Sequence, residues 1–192
     1  PLFLDVSQWI REHFPTVPII AGGVQATYDA IELLEENYCD IVFRKEGEEQ
    51  FRAFLESLLH QSDSTPVGAA FRFENKVYEL GQPEGDVPID GDIRPFYDLI
   101  EIKEYYKYGS LASFSRYNGE HKPFATVLSN RGCRACCTFC TVRDFNGFGV
   151  RQRPVQHVVN EIKFLIREKG ISQIDWLDDD LLMDPVRSVR LF

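Results

Sequence analysis

Phe124-Ala125-Thr126-Val127-Leu128-Ser129-Asn130-Arg131-Gly132-Cys133-Arg134-Ala135-Cys136-Cys137-Thr138-Phe139-Cys140 is the stretch on which the reading of this chain turns. Ala125 to Leu128 has the short apolar character of a buried parallel strand. A glycine-marked turn follows, and then four of the five cysteines fall within eight residues. Thiolates packed that closely repel one another unless a soft cation takes up their charge, so the run predicts a metal centre. Downstream, Val155, Val158, Val159, Ile162, Leu165 and Ile166 mark a helix that ends at Gly170, a residue suited to a helix C-cap. Ile171 to Leu177 reads as the next strand, with Asp178-Asp179-Asp180 at its carboxyl end. Strand, cysteine loop, helix, strand and acidic cluster make one βαβ unit, with its chemistry at the carboxyl ends of parallel strands.

The first sixty residues alternate in the same way. Leu2 to Phe14 has helical spacing at Val6, Trp9 and Ile10. Val17 to Ala21 is an apolar strand ending in Gly22-Gly23, and Tyr28 to Glu36 is a helix with Ile31 and Leu34 inward. Asp40 to Phe43 is a second buried strand. In Glu48 to His60, Phe51, Phe54, Leu55, Leu58 and Leu59 form an apolar helical stripe. Helix, strand, helix, strand, helix predicts half of an open, doubly wound, Rossmann-like (flavodoxin-like) parallel sheet. After residues 61–66, Ala70 to Phe73 and Val77 to Leu80 flank Glu74-Asn75-Lys76 as a hairpin. Residues 81–95, rich in proline and glycine, read as a linker, and the aromatics of 96–118 as glue between two domains. The expected division is 1–66, 67–123 (hairpin and linker) and 124–192.

The chain has 192 residues, begins at Pro1 and stops at Phe192 in an apolar patch, so it reads as a piece of a longer protein. With 44% hydrophobic and 27% charged residues it has an ordinary globular composition. No run reaches the roughly 18 apolar residues of a membrane span, and no signal peptide opens it. Clustered cysteines without a secretory signal favour metal over disulfides and a cytoplasmic location. A net charge of −9 argues against nucleic acid as a partner. Between Arg131 and Arg153, however, Arg131, Arg134, Arg143, Arg151 and Arg153 face the single acid Asp144, a net +4. Beside the cysteines, these arginines can offset the negative charge of a thiolate-ligated cluster.

Cys133, Cys137 and Cys140 obey C-x3-C-x2-C, with Phe139 before the last. Structural zinc sites usually take two separated C-x2-C pairs or add histidine. His157, seventeen residues after Cys140, stands within the expected helix. Three thiolates in one loop can instead hold three irons of a cubane, leaving the fourth open to a ligand. Cys136 then falls outside the ligand set. Two other readings stand beside this one: an iron–sulfur electron carrier with Cys136 as fourth ligand, and a structural zinc site.

The motif Arg131-Gly132-Cys133-x3-Cys137-x-Phe139-Cys140, with Gly149-Val150-Arg151 and the strand ending Trp176-Leu177-Asp178-Asp179, resembles the radical S-adenosylmethionine enzymes over residues 124–192. The resemblance implies the start of a partial (β/α)6 barrel, carrying two strands of six. It implies that Cys133, Cys137 and Cys140 bind a 4Fe-4S cluster whose open iron chelates S-adenosylmethionine. Reductive cleavage there yields methionine and a 5′-deoxyadenosyl radical. Asp178 and Asp179 occupy the family's position for contacting the methionyl amine, where a glycine-glycine-glutamate version is common. Ile19 to Thr27, with Gly22 and Gly23, and Asp40 to Glu48 resemble the end of the cobalamin-binding domain that precedes many such cores. There the glycine pair admits the nucleotide tail of the vitamin. Lys45 stands where that family has glycine, and the Asp-x-His-x-x-Gly segment that would supply a lower cobalt ligand is not in the chain. Some members of the class carry this domain without cobalamin. The class implies methyl transfer to an unactivated carbon or carbon-skeleton rearrangement on a small-molecule or peptide substrate, with a flavodoxin- or ferredoxin-type reductant. The stretch present is expected not to turn over alone.

Overall fold

A computed structural model describes residues 2–60, 66–81, 87–91, 94–107 and 122–192. The chain divides into two compact units, Pro1–Val87 and Pro88–Phe192. Both are α/β.

In the first unit, β1 (Ile20–Ala21) pairs in parallel with β2 (Ile41–Phe43), Ile20 opposite Ile41 and Ala21 opposite Val42. The Asp40 carboxylate steadies this start by accepting from Ile19 N at 2.7 Å. The fully parallel half-sheet expected from the sequence is corrected at this point. β3 (Ala69–Phe73) runs antiparallel to β2, with Val42 opposite Ala70, and β4 (Lys76–Glu79) runs antiparallel to β3. The hairpin therefore extends the sheet to the order β1-β2-β3-β4, inside the first unit. Glu74 and Asn75, both with positive φ, make its two-residue turn, the geometry whose twist suits a hairpin.

The helices form, but with shifted faces. α1 (Leu2–His13) packs through Phe3, Leu4, Ser7 and Ile10, whereas Val6 and Trp9 are about half exposed. Trp9 instead stacks on His13, their ring centroids 4.4 Å apart. The helix expected over 28–36 forms as α3 (Ala30–Glu35), and a further short helix, α2 (Gly23–Tyr28), precedes it across Asp29 where only a turn is expected. α3 buries Leu33 and Leu34 and leaves Ile31 partly exposed. α4 (Glu48–His60) carries the expected stripe, yet Phe51, Leu55, Leu58 and Leu59 are exposed. Phe51 and Phe54 rest against Phe43, with centroids 5.9 and 5.8 Å away.

The second unit is built on the expected βαβ step. β5 (Phe124–Val127) lies parallel to β8 (Gln173–Trp176), joined by a loop that carries the short helix α5 (Val142–Asn146) and then by α6 (Val155–Lys169). Ala125 and Val127 meet Val158 and Leu165 of the helix in one core. Fully burying a side chain such as Leu165 contributes about 1.5–3 kcal/mol. Gly170 ends α6 in the left-handed conformation, its N–H bonding Leu165 O. Two 3-10 segments, Tyr97–Leu99 and Ile102–Lys107, add Tyr97 and Ile102 to the same core. Tyr97 thus packs within its own unit. Residues 108–118 of the aromatic stretch, and residues 82–86 and 92–93 of the linker, lie outside the described residues.

Glu161 interrupts the apolar stripe of α6 and is nevertheless buried. It pairs with buried Arg153 at 2.6 Å and accepts from the Tyr97 hydroxyl at 2.5 Å. Burial and the adjacent Glu161 carboxylate together push the Tyr97 hydroxyl well above the ordinary phenol range. α7 (Pro185–Leu191) starts on Asp184, whose side chain accepts from Arg187 N at 3.0 Å, with Pro185 at the first helical position. Among the described residues, no helix is long and apolar enough to cross a membrane.

Candidate metal centre

The cysteine loop leaves the carboxyl end of β5 and returns before α6. A two-residue ladder closes its neck: β6 (Asn130–Arg131) runs antiparallel to β7 (Arg151–Gln152), with Asn130 opposite Gln152 and Arg131 opposite Arg151. Gly132 follows at φ +89, and an added Cβ there would lie 2.3 Å from Gly149 O. The backbones touch at that point, so only glycine fits. Arg153 completes the closure, its N–H bonding Ser129 O at 2.9 Å and its guanidinium bonding Leu128 O at 2.7 Å.

All four thiols of the loop are free, Cys133 half-buried and Cys136, Cys137 and Cys140 exposed. Cys140 N bonds Cys137 O at 3.2 Å, so these two cysteines stand at the ends of one turn, a geometry that keeps their Cα atoms within about 7 Å. Cys133 Sγ accepts from Ala135 N at 3.4 Å. Cys136 is held differently: Arg143 Nη1 donates to its sulfur at 2.7 Å, and the same guanidinium lies 4.4 Å from the centre of the Phe148 ring. Among the described residues, no three His, Cys, Asp or Glu side chains are grouped closely enough to hold a metal ion. Cys133, Cys137 and Cys140 share one loop and its solvent face without converging. Free thiols have no mutual attraction, and the atom that would gather them is the metal itself. The donor set fits a soft, thiophilic centre: three accessible thiols, no disulfide, and a neighbouring arginine engaged by Cys136.

The acids after β8 do three different things. The Asp178 carboxylate accepts from Ser129 N at 3.0 and 3.1 Å, from Ser129 Oγ at 2.8 Å and from Asn130 N. Desolvation raises its pKa, against the lowering pull of those bonds and of Arg187. Asp180 pairs with Arg134 at 3.0 Å, and Arg134 also bonds Met183 O at 3.1 Å, so the chain between the first two cysteines is tied to the acidic segment. Asp179 is exposed. Among the described residues its carboxylate has no hydrogen-bond or ion-pair partner. What burial it has raises its pKa, and the neighbouring charge of Asp178 adds to that.

In the first unit, Gly22 and Gly23 stand at the carboxyl end of β1. Gly23 needs glycine for its backbone, at φ +85 with nothing within 4 Å of an added Cβ. Gly22 is extended, and a Cβ there would make an ordinary 3.7 Å contact with Phe43 O. Thr27 Oγ1 donates to Gly23 O at 2.8 Å and accepts from Lys45 N at 2.7 Å, joining the ends of β1 and β2. Lys45, at the position where the resembling family has glycine, adopts φ +59.

Glu161, Arg187 and Ser129 escape a reading by motif. Glu161 had one signal, an acid three residues after Val158 and four before Leu165 on the buried stripe.

No family model matches the chain. It is 27% identical over 180 residues to an uncharacterised methyltransferase of Pyrococcus horikoshii, covering 90% of this chain and 36% of that one. It is 28% identical over 184 residues to an anaerobic magnesium-protoporphyrin IX monomethyl ester cyclase of Synechocystis, covering 94% of this chain and 34% of that protein. The chain thus spans about a third of the length of the curated relatives it matches. Among solved structures, the radical S-adenosylmethionine methyltransferase TsrM of Kitasatospora setae, with cobalamin and a [4Fe-4S] cluster bound, matches with a TM-score of 0.68. The identity is 17%, over 100% of this chain and 36% of that one. The cobalamin-dependent S-adenosylmethionine radical enzyme OxsB, with aqua-cobalamin and S-adenosylmethionine bound, matches with a TM-score of 0.64 at 17% identity, over 98% of this chain and 25% of that one. In fold, the chain is similar to solved cobalamin-associated radical S-adenosylmethionine enzymes, the class that its cysteine loop resembles.

Proposed function

We propose that the chain is part of a radical S-adenosylmethionine enzyme in which Cys133, Cys137 and Cys140 hold a 4Fe-4S cluster. The observation that carries this reading is the C-x3-C-x2-C loop at the carboxyl end of β5, next to the acidic end of β8. When bound, such a cluster supplies one electron to S-adenosylmethionine for reductive cleavage of a carbon–sulfur bond. The residues of this chain orient that cofactor. Asp179 offers the unshared carboxylate for its methionyl amine, while Asp178 is committed to Ser129 and Asn130. Arg143, already donating to the Cys136 sulfur, lowers the electrostatic cost of placing a thiolate-rich centre there, whereas Arg134 and Arg153 are paired with Asp180 and Glu161.

For the first unit we propose cobalamin binding at the carboxyl ends of β1 and β2, around Gly22 and Gly23, with residues 1–66 as the end of that domain. Residues 67–123 lead from it to the core at 124–192, their hairpin completing the first unit's sheet and Tyr97 and Ile102 joining the second unit's core. Methyl transfer is the leading reaction, in line with the Pyrococcus relative and with TsrM. The similarity to a cyclase supports carbon-skeleton chemistry as the second reading. A small-molecule or peptide substrate, a flavodoxin- or ferredoxin-type reductant and a cytoplasmic location complete the proposal.

Anaerobic reconstitution of the full-length protein tests it. About four irons with matching sulfide per chain are expected, together with a change in the reduced cluster's magnetic spectrum when S-adenosylmethionine is added. Cys136→Ala should keep both. Loss of the cluster in Cys136→Ala points instead to an electron carrier, and one zinc without iron to a structural site.

A further inference from the structure

We infer that Arg187, seconded by Asp178, is a positioning residue that cross-ties the two stems of the cysteine loop and so sets the geometry in which Cys133, Cys137 and Cys140 are presented. The inference rests on the proposed cluster site for its purpose, but its contacts are independent of that site.

Ser129 is the last residue before the ladder that closes the loop, and it is fully buried. Each of its polar atoms is engaged. Its N–H and hydroxyl donate to Asp178, the hydroxyl at 2.8 Å. Its hydroxyl accepts from Arg187 Nη1 at 3.2 Å, and its carbonyl accepts from Arg187 Nη2 at 2.9 Å. Arg187 Nη2 also reaches Arg153 O at 2.9 Å. Ser129 is the entry to the loop and Arg153 its exit, so a single guanidinium grips both stems. All three proposed ligands lie between them in the chain.

The arrangement uses what distinguishes arginine from lysine: a planar fork with several fixed donors, which can serve two carbonyls and a hydroxyl at once. Arg187 is buried and carries its charge there against a desolvation cost. A helix that needed only packing at this position would place an aliphatic residue at no such cost. Asp184 caps α7 through Arg187 N, which fixes the helical turn from which the guanidinium extends. Asp178 approaches Ser129 from the end of β8, so both grips on the loop's root come from the segment that follows that strand.

The test uses the full-length protein and the variants Arg187→Met, Arg187→Lys and Asp178→Asn. In the metal-free protein, tryptic cleavage at Arg134 and Arg143 reports how firmly the loop is tied. Cleavage should be at least tenfold faster in Arg187→Met and several-fold faster in Arg187→Lys and Asp178→Asn. In the reconstituted protein, iron release to a chelator should accelerate in the same order. Wild-type cleavage rates in Arg187→Met overturn the inference. So does full restoration by lysine, which would assign the effect to charge rather than to a two-stem grip. Should Arg187→Met not fold, the lysine and Asp178→Asn rates decide alone, and wild-type values in both overturn it. Failure of the wild-type protein to take up iron, with the cleavage order intact, removes the cluster reading and leaves the cross-tie standing.

Discussion

Gly132 approaches Gly149 across the neck of the cysteine loop so closely that a Cβ on Gly132 would lie 2.3 Å from the Gly149 carbonyl oxygen. Both glycines have positive φ, but Gly149 has open space where its Cβ would be. The two positions therefore separate backbone preference from steric closure. Gly149→Ala should cost the roughly 1–2 kcal/mol of a left-handed alanine. Gly132→Ala adds a contact that backbone atoms cannot relieve without opening the β6–β7 ladder. Iron bound after anaerobic reconstitution should fall by more than half in Gly132→Ala and stay near wild type in Gly149→Ala. Equal retention in both would show that the neck yields without consequence.

The buried pair Arg153–Glu161 gives a second test. Both side chains are 2% exposed, and the carboxylate also holds the Tyr97 hydroxyl. Removing one partner of such a pair leaves an uncompensated charge and costs about 3–5 kcal/mol. Glu161→Gln keeps the shape and an acceptor for Tyr97 but removes the charge facing Arg153, so it should destabilise by about that amount. Tyr97→Phe removes only a donor and should cost about 1–3 kcal/mol. Urea denaturation of the two variants should rank them in that order, and the reverse ranking would shift the weight of the cluster from the ion pair to the hydroxyl.

Much of this architecture was legible in the residues because it depends on local pattern. The step from β5 through α6 to β8 followed from apolar spacing and from Gly170, which ends the helix in the left-handed conformation as expected. The parallel pairing of β1 with β2 followed in the same way. The pairing of the hairpin with β2 did not, because a hairpin's own pattern says nothing about which strand its outer edge meets. Ile31, expected inward with Leu34, is partly exposed for a related reason: apolar spacing defines a stripe, and only tertiary neighbours decide which part of it is covered. At the candidate site, the cysteine spacing marked the loop. The neck contact of Gly132 with Gly149 and the grip of Asp178 on Ser129 join residues 17 and 49 positions apart, and no local pattern records them.

Lys45 holds φ +59 at the end of β2, with its N–H bonded to Thr27 Oγ1. A side chain in that conformation costs about 1–2 kcal/mol, part of which glycine returns through its freer unfolded chain. Lys45→Gly should therefore raise stability by about 0.5–1 kcal/mol. Lys45→Val should lower it, since a β-branched residue tolerates positive φ least. Thermal melting of the two variants checks the sign, and a loss of stability in Lys45→Gly would mean that the lysine side chain contributes more than its backbone costs.

Cys39 carries a pH dependence whose direction can be worked out. Its thiol is fully buried. Burial, and after it the charge of Asp40, raises its pKa from 9.0 to about 11, against the opposing pull of Arg11 and Arg72. In the unfolded chain the thiol loses its proton near 9.0, while the folded protein keeps it until about 11. Within that window the unfolded state binds fewer protons, so stability must fall as pH rises, by up to about 1.4 kcal/mol per pH unit for one group. The contribution is complete below pH 9 and gone above 11. Cys39→Ala removes the ionisation, together with some packing that does not vary with pH. Its urea midpoint should lie below wild type near neutral pH, and the gap should close as pH passes through the window. A gap that stays constant across it would place the ionisation elsewhere, because every other titrating group is common to both proteins.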